Sequence, residues 1–155
     1  MEKIIMDAMK EATLQGYKAG SMGEIPIGAV IVKNNKIITK AHNKREKSQI
    51  ATHHAEILAI QKACKKLKSW RLDDCDIYVT LEPCPMCAGA IQNARLKNVY
   101  YAVKDEASGG ISRFNLLNNT LNHTTNSHHL TDYEQENKTL IQNFFKDKRK
   151  NTRKS

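Results

Sequence analysis

The chain has 155 residues, 40% of them apolar, and 25 Lys and Arg against 16 Asp and Glu give a formal net charge of +9 at pH 7. That length suits one domain with a real core. No apolar run approaches the roughly 18 residues of a membrane span, so a cytoplasmic protein with no membrane-spanning segment is expected. Its four Cys then read as metal ligands and core residues rather than disulfides, and the basic excess points to an anionic partner such as nucleic acid or a membrane surface.

Residues 2–19 place Ile5, Met6, Met9 and Thr13 at helical spacing, and Gly20 can end that first helix. Glu24-Ile25-Pro26 opens an extended segment, and the apolar run from Ala29 to Val32 is short enough for a buried strand. Asn34-Asn35 offers the positive φ of a tight turn, with Ile37 to Ala41 returning as the hairpin partner. A polar loop over 42–52, holding Asn43 and Arg45, leads into a helix that starts at His54 and ends near Lys68. Ile77 to Thr80 is the next strand, Pro85 to about Ala94 the next helix, and Val99 to Val103 a further strand. Residues 104–112 form a loop in which Gly109-Gly110 permits a close approach. A short helix near 113–121, a short strand around His128 to Leu130 and a last helix capped by Asp132 follow. Strands alternating with helices predict an α/β sandwich around one central sheet. The domain is expected over 1–150, with 151–155 a flexible basic tail.

Two short stretches read as one site: His54-Ala55-Glu56 and Pro83-Cys84-Pro85-Met86-Cys87. Two Cys and one His leave a tetrahedral zinc one protein ligand short, and an open fourth position marks a catalytic zinc, whereas four protein ligands close a structural one. Deep in a helix His54 and Glu56 would point about 200° apart, so they share a site only at a helix start. Pro85 suits the first helical position, which puts Cys84 just before a helix and Cys87 in its first turn, where the positive end of the helix dipole favours thiolates. Glu56, left over as a ligand, is then the proton shuttle. Read alone, the CxxC is a structural zinc knuckle or a redox pair, but no second CxxC exists to close such a site and His54-Ala55-Glu56 would have no purpose. Cys64, Cys75 and Trp70 read as packing residues, and His128-His129 does not read as a second metal site.

The site runs, together with Ile25-Pro26-Ile27-Gly28-Ala29-Val30, His42-Asn43, Ser69-Trp70-Arg71-Leu72, Tyr78-Val79-Thr80-Leu81-Glu82-Pro83, Cys87-Ala88-Gly89-Ala90 and Asp105 to Gly109, resemble the bacterial tRNA-specific adenosine deaminases. The likeness runs from about residue 4 to about 150. HxE with PCxxC is shared by the whole cytidine-deaminase-like superfamily and does not name a substrate. The Trp-Arg-Leu run, the Asn122-His123 pair and Phe144-Phe145 before a basic tail are closer to the tRNA branch. The resemblance implies a three-layer α/β/α, cytidine-deaminase-like sandwich with a five-stranded mixed sheet. It also implies hydrolytic deamination of adenosine to inosine at the wobble position of an anticodon stem-loop, typically of an arginine tRNA, with release of ammonia. One zinc per subunit would sit on His54, Cys84 and Cys87, with Glu56 catalytic. Ile27 and Asn43 would line the base pocket, the backbone around Ala55 and Pro83 would hydrogen-bond the base or its product, and the enzyme would be a homodimer. Asp105, Ser108, Asn122, His123, Phe145 and Arg149 are the expected RNA contacts, one ring of the Phe144-Phe145 pair being core.

Two positions depart from the family. His53 stands where relatives commonly have Ala, which brings a second imidazole beside a ligand, most simply as a solvent-facing bystander; Ala107 stands where many carry a basic residue. The alternative enzyme is a deaminase of guanine or another free purine, whose branch also carries Glu-Pro-Cys-Pro-Met-Cys. The basic C-terminal helix argues against it, since a small neutral purine needs no cationic surface. A zinc-bearing subunit without chemistry would have no need of Glu56.

Overall fold

The structure, a computed structural model, describes residues 2–117 and 123–154, with side chains described to residue 150. The chain opens with helix α1 (Lys3–Ser21), whose buried face of Ala8, Met9, Ala12, Thr13 and Ala19 follows the helical repeat. Strands β1 (Gly28–Lys33) and β2 (Lys36–His42) form the expected hairpin. Asn34 and Asn35 at its tip take φ of 52° and 60°, the left-handed pair of a two-residue turn that matches strand twist. A Cβ at Gly28 would strike the Ala12 carbonyl, so glycine lets β1 lie against α1. Within the expected polar loop a short helix α2 (Arg45–Ser48) forms. Helix α3 (Ala55–Leu67) follows and ends where Lys68 turns left-handed at φ 52°. Then come β3 (Cys75–Leu81), α4 (Pro85–Asn93), β4 (Asn98–Val103) and β5 (Asn126–His129). A 3-10 turn over Thr131–Tyr133 leads into α5 (Glu134–Lys154).

The five strands make one sheet in the order β2-β1-β3-β4-β5. β1 is antiparallel to both its neighbours, while β3, β4 and β5 run parallel. Strand side chains alternate between two cores, as the pleat requires. Ala29, Ile31, Ile77, Val79 and Val99 pack with Ala55, Ala59, Ala63, Ala88 and Ile91 of α3 and α4. Val30, Val32, Tyr78 and Ala102 pack on the opposite face with Ala8, Met9 and Ala12 of α1, joined by Leu130 and Tyr133 at the entry to α5. Helices therefore cover both faces of a mixed five-stranded sheet. The β2 edge of the sheet is covered by α3. Lys62 and Lys66 of α3 donate to the free carbonyls of Lys40 and Ile38 on β2, at 2.8 and 3.1 Å. On β5, His128 stacks on Tyr100, which stacks on Tyr78, with ring centroids 4.5 and 4.4 Å apart, and His129 stacks on Tyr101. The two His are thus spent on strand pairing. Among the described residues no helix is long and apolar enough to cross a membrane.

Two local expectations change. Residues 113–117 form turns rather than the start of a helix, because Leu116 N–H closes back onto the Gly110 carbonyl at 2.8 Å and Asn115 adopts φ 51°; 118–121 lie outside the described residues. Asp132 sits inside the 3-10 turn instead of capping α5, since Tyr133 N–H bonds the Leu130 carbonyl while both side chains pack onto the sheet. The α5 backbone is helical to Lys154, and no Gly or Pro interrupts Lys146 to Lys154.

Candidate active site

Both parts of the site hang on helix starts. His54 precedes α3 with extended φ and ψ of −76° and 154°, and Cys84 precedes α4 with −68° and 172°; neither side chain caps its own helix. Each is therefore free to turn toward the other. β3 delivers Cys84 through Glu82-Pro83, at the carboxyl edge of the sheet, where open α/β sheets place ligands. Pro85 opens α4 and Cys87 lies in its first turn, while Glu56 lies in the first turn of α3. The His54 Nδ1 is 3.7 Å from Cys84 Sγ and 3.6 Å from Cys87 Sγ, and the three donor atoms lie within 4.8 Å of one another. Zinc bonds of ~2.3 Å to sulfur and ~2.05 Å to nitrogen imply tetrahedral N···S edges of about 3.5 Å, so the donor set fits zinc in type and spacing and leaves one position open.

The charges fit as well. The two thiols share one negative charge: a hydrogen bond from Cys87, helped by His54, holds Cys84 down to about 4 against the effect of burial. Cys87 is pushed up by that same bond and by burial. His54 is raised chiefly by its bond to Cys84. A divalent cation held between them would take over the role of the shared proton and let both sulfurs be thiolates. Glu56 is only 4% exposed, and burial pushes its carboxyl up to about 7, where it can give and take a proton near neutral pH.

His54, Glu56 and Cys84 line a cavity of about 690 Å³, together with Ile27, Asn43 and Ala55. Asn43 Oδ1 accepts the Arg45 N–H at 3.0 Å, which leaves its amide nitrogen as a donor. Asp105, Ser108 and Phe145 also line the cavity; Phe145 is exposed and meets the half-buried Phe144 edge-on. Pro83 is buried beside the cavity rather than among its lining residues, and its carbonyl accepts the Gly110 N–H at 2.8 Å. His123 is not brought there either. Its Nε2 bonds the Leu96 carbonyl at 2.8 Å, and its own carbonyl accepts Gln92 Nε2 at 2.9 Å, tying residue 123 to the α4–β4 corner. Arg149 is exposed on α5, one turn beyond Phe145, outside the cavity lining. Asn122 lies outside the described residues.

His53 is half-buried rather than solvent-facing, and its Nδ1 has no hydrogen-bond partner among the described residues. The metal-competent group there is His54, Cys84 and Cys87 without it. Trp70 is 61% exposed with Arg71 and Arg95 guanidinium carbons 5.5 and 5.8 Å from its ring, so it is not the packing residue expected; Cys64 is half-buried and Cys75 fully buried. Sequence reasoning missed the buried carboxylates Glu24 and Glu82 and the cavity-lining cations Arg45 and Lys104. The one local signal was a charged residue wedged between a buried strand and Pro83-Cys84.

A His, two Cys and a buried Glu gathered at two helix starts, on the carboxyl edge of a mixed five-stranded sheet, define a deaminase of the cytidine-deaminase-like fold. A family model of the MafB19-like deaminases matches residues 3–149. The chain belongs to that family and, within it, groups with the tRNA-specific adenosine deaminases. It is 41% identical over 145 residues to the protein of that description from Aquifex aeolicus (strain VF5), covering 92% of this chain and 95% of the relative. It is 52% identical over 101 residues to the one from Bacillus subtilis (strain 168), covering 65% of this chain and 63% of the relative, less than two thirds of that protein's length. A solved structure from studies of A-to-I editing by tRNA:A34 deaminases superposes with a TM-score of 0.83 at 35% identity, covering 87% of this chain and 99% of the other. A guanine deaminase from Bacillus subtilis reaches 0.63 at 34% identity, covering 90% and 93%.

Proposed function

We propose that this protein deaminates adenosine to inosine by hydrolysis at the wobble position of a tRNA anticodon, typically that of an arginine tRNA, with one zinc held by His54, Cys84 and Cys87. The observation that carries the chemistry is the buried Glu56 carboxyl on the same cavity as the His54 and Cys84 donors. What favours the tRNA substrate over a free purine is the closer fold match to the A34 deaminase than to the guanine deaminase at nearly equal identity. The cationic end of α5, with six basic residues against one acidic over 146–155, points the same way.

When bound, zinc supplies the Lewis acidity that makes water a nucleophile at neutral pH. The chain does the rest. Glu56 takes a proton from the attacking water as the oxygen adds to C6 of adenine, and passes it to the N1 ring nitrogen. It then carries the second proton to the exocyclic amine, the C6–N bond breaks, and ammonia leaves with inosine in place. Asn43 offers its amide nitrogen, and Ala55 its position at the start of α3, to orient the base. The rings and alkyl groups of Phe145, Ile141 and Ile25 give the base an apolar wall. Arg45 and Lys104 suit flanking phosphates. Asp105 and Ser108 are proposed RNA contacts from the cavity wall, and Asn122, His123 and Arg149 from outside it. A loop base is already unstacked, so little energy is spent in bringing it into the cavity. We further propose a homodimer in the cytoplasm.

The position of the reaction is tested on a full arginine tRNA transcript treated with the zinc-loaded protein and sequenced by reverse transcription, where inosine reads as guanosine. The change is expected at the wobble adenosine alone; inosine spread over other loop adenosines would contradict the assignment. Replacing Arg149 and Lys150 with Ala is expected to weaken binding without shifting that position. In a salt titration, the slope of log K against log salt should fall by about 0.7–0.9 for each phosphate that the variant no longer neutralises. An unchanged slope would mean that this part of α5 is only solvated.

A further inference from the structure

Two buried carboxylates have no place in the proton chemistry just described: Glu24 and Glu82, each 2% exposed. Among the described residues neither forms an ion pair. A buried carboxylate without a cation is costly unless hydrogen-bond donors solvate it, and an apolar side chain would serve the fold alone at less cost. The donors that solvate these two are backbone N–H groups, and one Ser hydroxyl, of the segments that line the cavity.

Glu82 clasps both ends of the 104–112 loop. Its Oε1 accepts the Asp105 N–H at 3.1 Å and the Ser112 hydroxyl at 2.7 Å. Its Oε2 accepts the N–H groups of Ile111 and Ser112, at 3.0 and 2.8 Å. Glu106, Ala107 and Ser108, which line the cavity, lie between those two anchor points. A Cβ at Gly109 would strike the Glu82 carboxylate, so that glycine is what lets the loop close over it. Glu24 does the same for the opposite segment: its Oε1 and Oε2 accept the N–H groups of Glu46 and Lys47 at 3.0 and 2.8 Å. With Asn43 N–H on the Ile27 carbonyl, Lys44 N–H on the His53 carbonyl and Arg45 N–H on Asn43 Oδ1, five consecutive amides are fixed. Asn43 and Arg45, both on the cavity, lie within that run.

We infer that Glu82 and Glu24 are positioning residues for substrate recognition, each holding one wall of the cavity in its receiving shape through the backbone amides it solvates. The role rests on the proposed tRNA substrate only for its kinetic readout. Both oxygens of each carboxylate must accept. Gln keeps the shape and one acceptor but turns an NH2 toward N–H donors, so Glu82→Gln releases the loop while His54, Cys84 and Cys87 stay in place.

The test combines steady-state kinetics on the anticodon stem-loop with amide hydrogen exchange and zinc content. Glu82→Gln is expected to raise KM about tenfold or more, with kcat within about threefold and zinc content unchanged, and to speed exchange at the Asp105, Ile111 and Ser112 amides. Glu24→Gln should do so at Glu46 and Lys47, again with a higher KM. Unchanged exchange and KM would overturn the inference, and so would a fall in kcat alone or a parallel loss of zinc. Should Glu82→Gln not fold cooperatively, Ser112→Ala, which removes one donor and keeps the carboxylate, must show a smaller change of the same pattern; no change there overturns the clasp. If the wild-type protein makes no inosine in the stem-loop, the substrate assignment fails, while amide exchange still decides whether the carboxylates hold the walls.

Discussion

Glu56→Gln is expected to bind zinc as the wild type does and to lose about 10³- to 10⁴-fold of inosine formation. Gln fills the same space at the start of α3, so the cavity and the three donors are preserved. It cannot take the proton from water or deliver one to the leaving amine, and general acid–base catalysis contributes on the order of 10²–10⁴ per proton-transfer role. In the proposed reaction Glu56 serves both halves, which puts the expected loss toward the upper end. Zinc measured by elemental analysis alongside single-turnover inosine formation checks this, and loss of zinc in step with activity would refute the shuttle role. A stability effect accompanies it in the metal-free protein. The Glu56 carboxyl is raised from an ordinary 4.5 to about 7 by burial, so the folded state holds this proton more tightly than the unfolded state. Stability from this group is complete below about 4.5 and is lost as pH rises toward about 7. Metal-free Glu56→Gln should therefore melt higher than metal-free wild type at pH 8, with the gap closing at pH 4.

Cys87→Ala is the second large effect, and it separates metal binding from proton transfer. Cys87 is fully buried in the first turn of α4, with its sulfur 3.6 Å from His54 Nδ1. Its removal leaves one thiol and one imidazole, too few to hold a catalytic zinc. Zinc affinity should fall by at least roughly 100-fold, since even outer-shell changes cost on the order of 10–100-fold. Activity should fall by about 10³-fold or more with it, the Lewis-acid contribution being several kcal/mol. Zinc should raise the melting temperature of the wild type and of Glu56→Gln but not of Cys87→Ala, because only a metal bound to the folded state stabilises it. A zinc-dependent melting shift in Cys87→Ala would remove Cys87 from the donor set.

The donor end of the site was legible because its rules are local. Pro85 dictates a helix start, the spacing of Cys84 and Cys87 follows, and His54 can meet Glu56's cavity only from an N-cap. The hairpin was legible for the same reason, with both Asn34 and Asn35 left-handed as required. The walls were not. Glu24 meets Glu46 and Lys47, and Glu82 meets Ile111 and Ser112, across 22 to 30 residues, and no periodicity marks a carboxylate that will solvate distant amides. The turns at 111–117 escaped because Leu116 is tied to Gly110 and Asn115 takes a left-handed conformation, neither of which the local sequence marks. The bond from His123 Nε2 to the Leu96 carbonyl likewise spans 27 residues and has no local signal.

The most direct measurement offers the zinc-loaded protein two substrates in parallel, an arginine tRNA anticodon stem-loop with adenosine at the wobble position and free guanine. Inosine in the stem-loop with no ammonia from guanine, and no inosine with Glu56→Gln, is the predicted result. Ammonia from guanine with no inosine in the stem-loop would contradict the account and make the cationic end of α5 incidental to the chemistry.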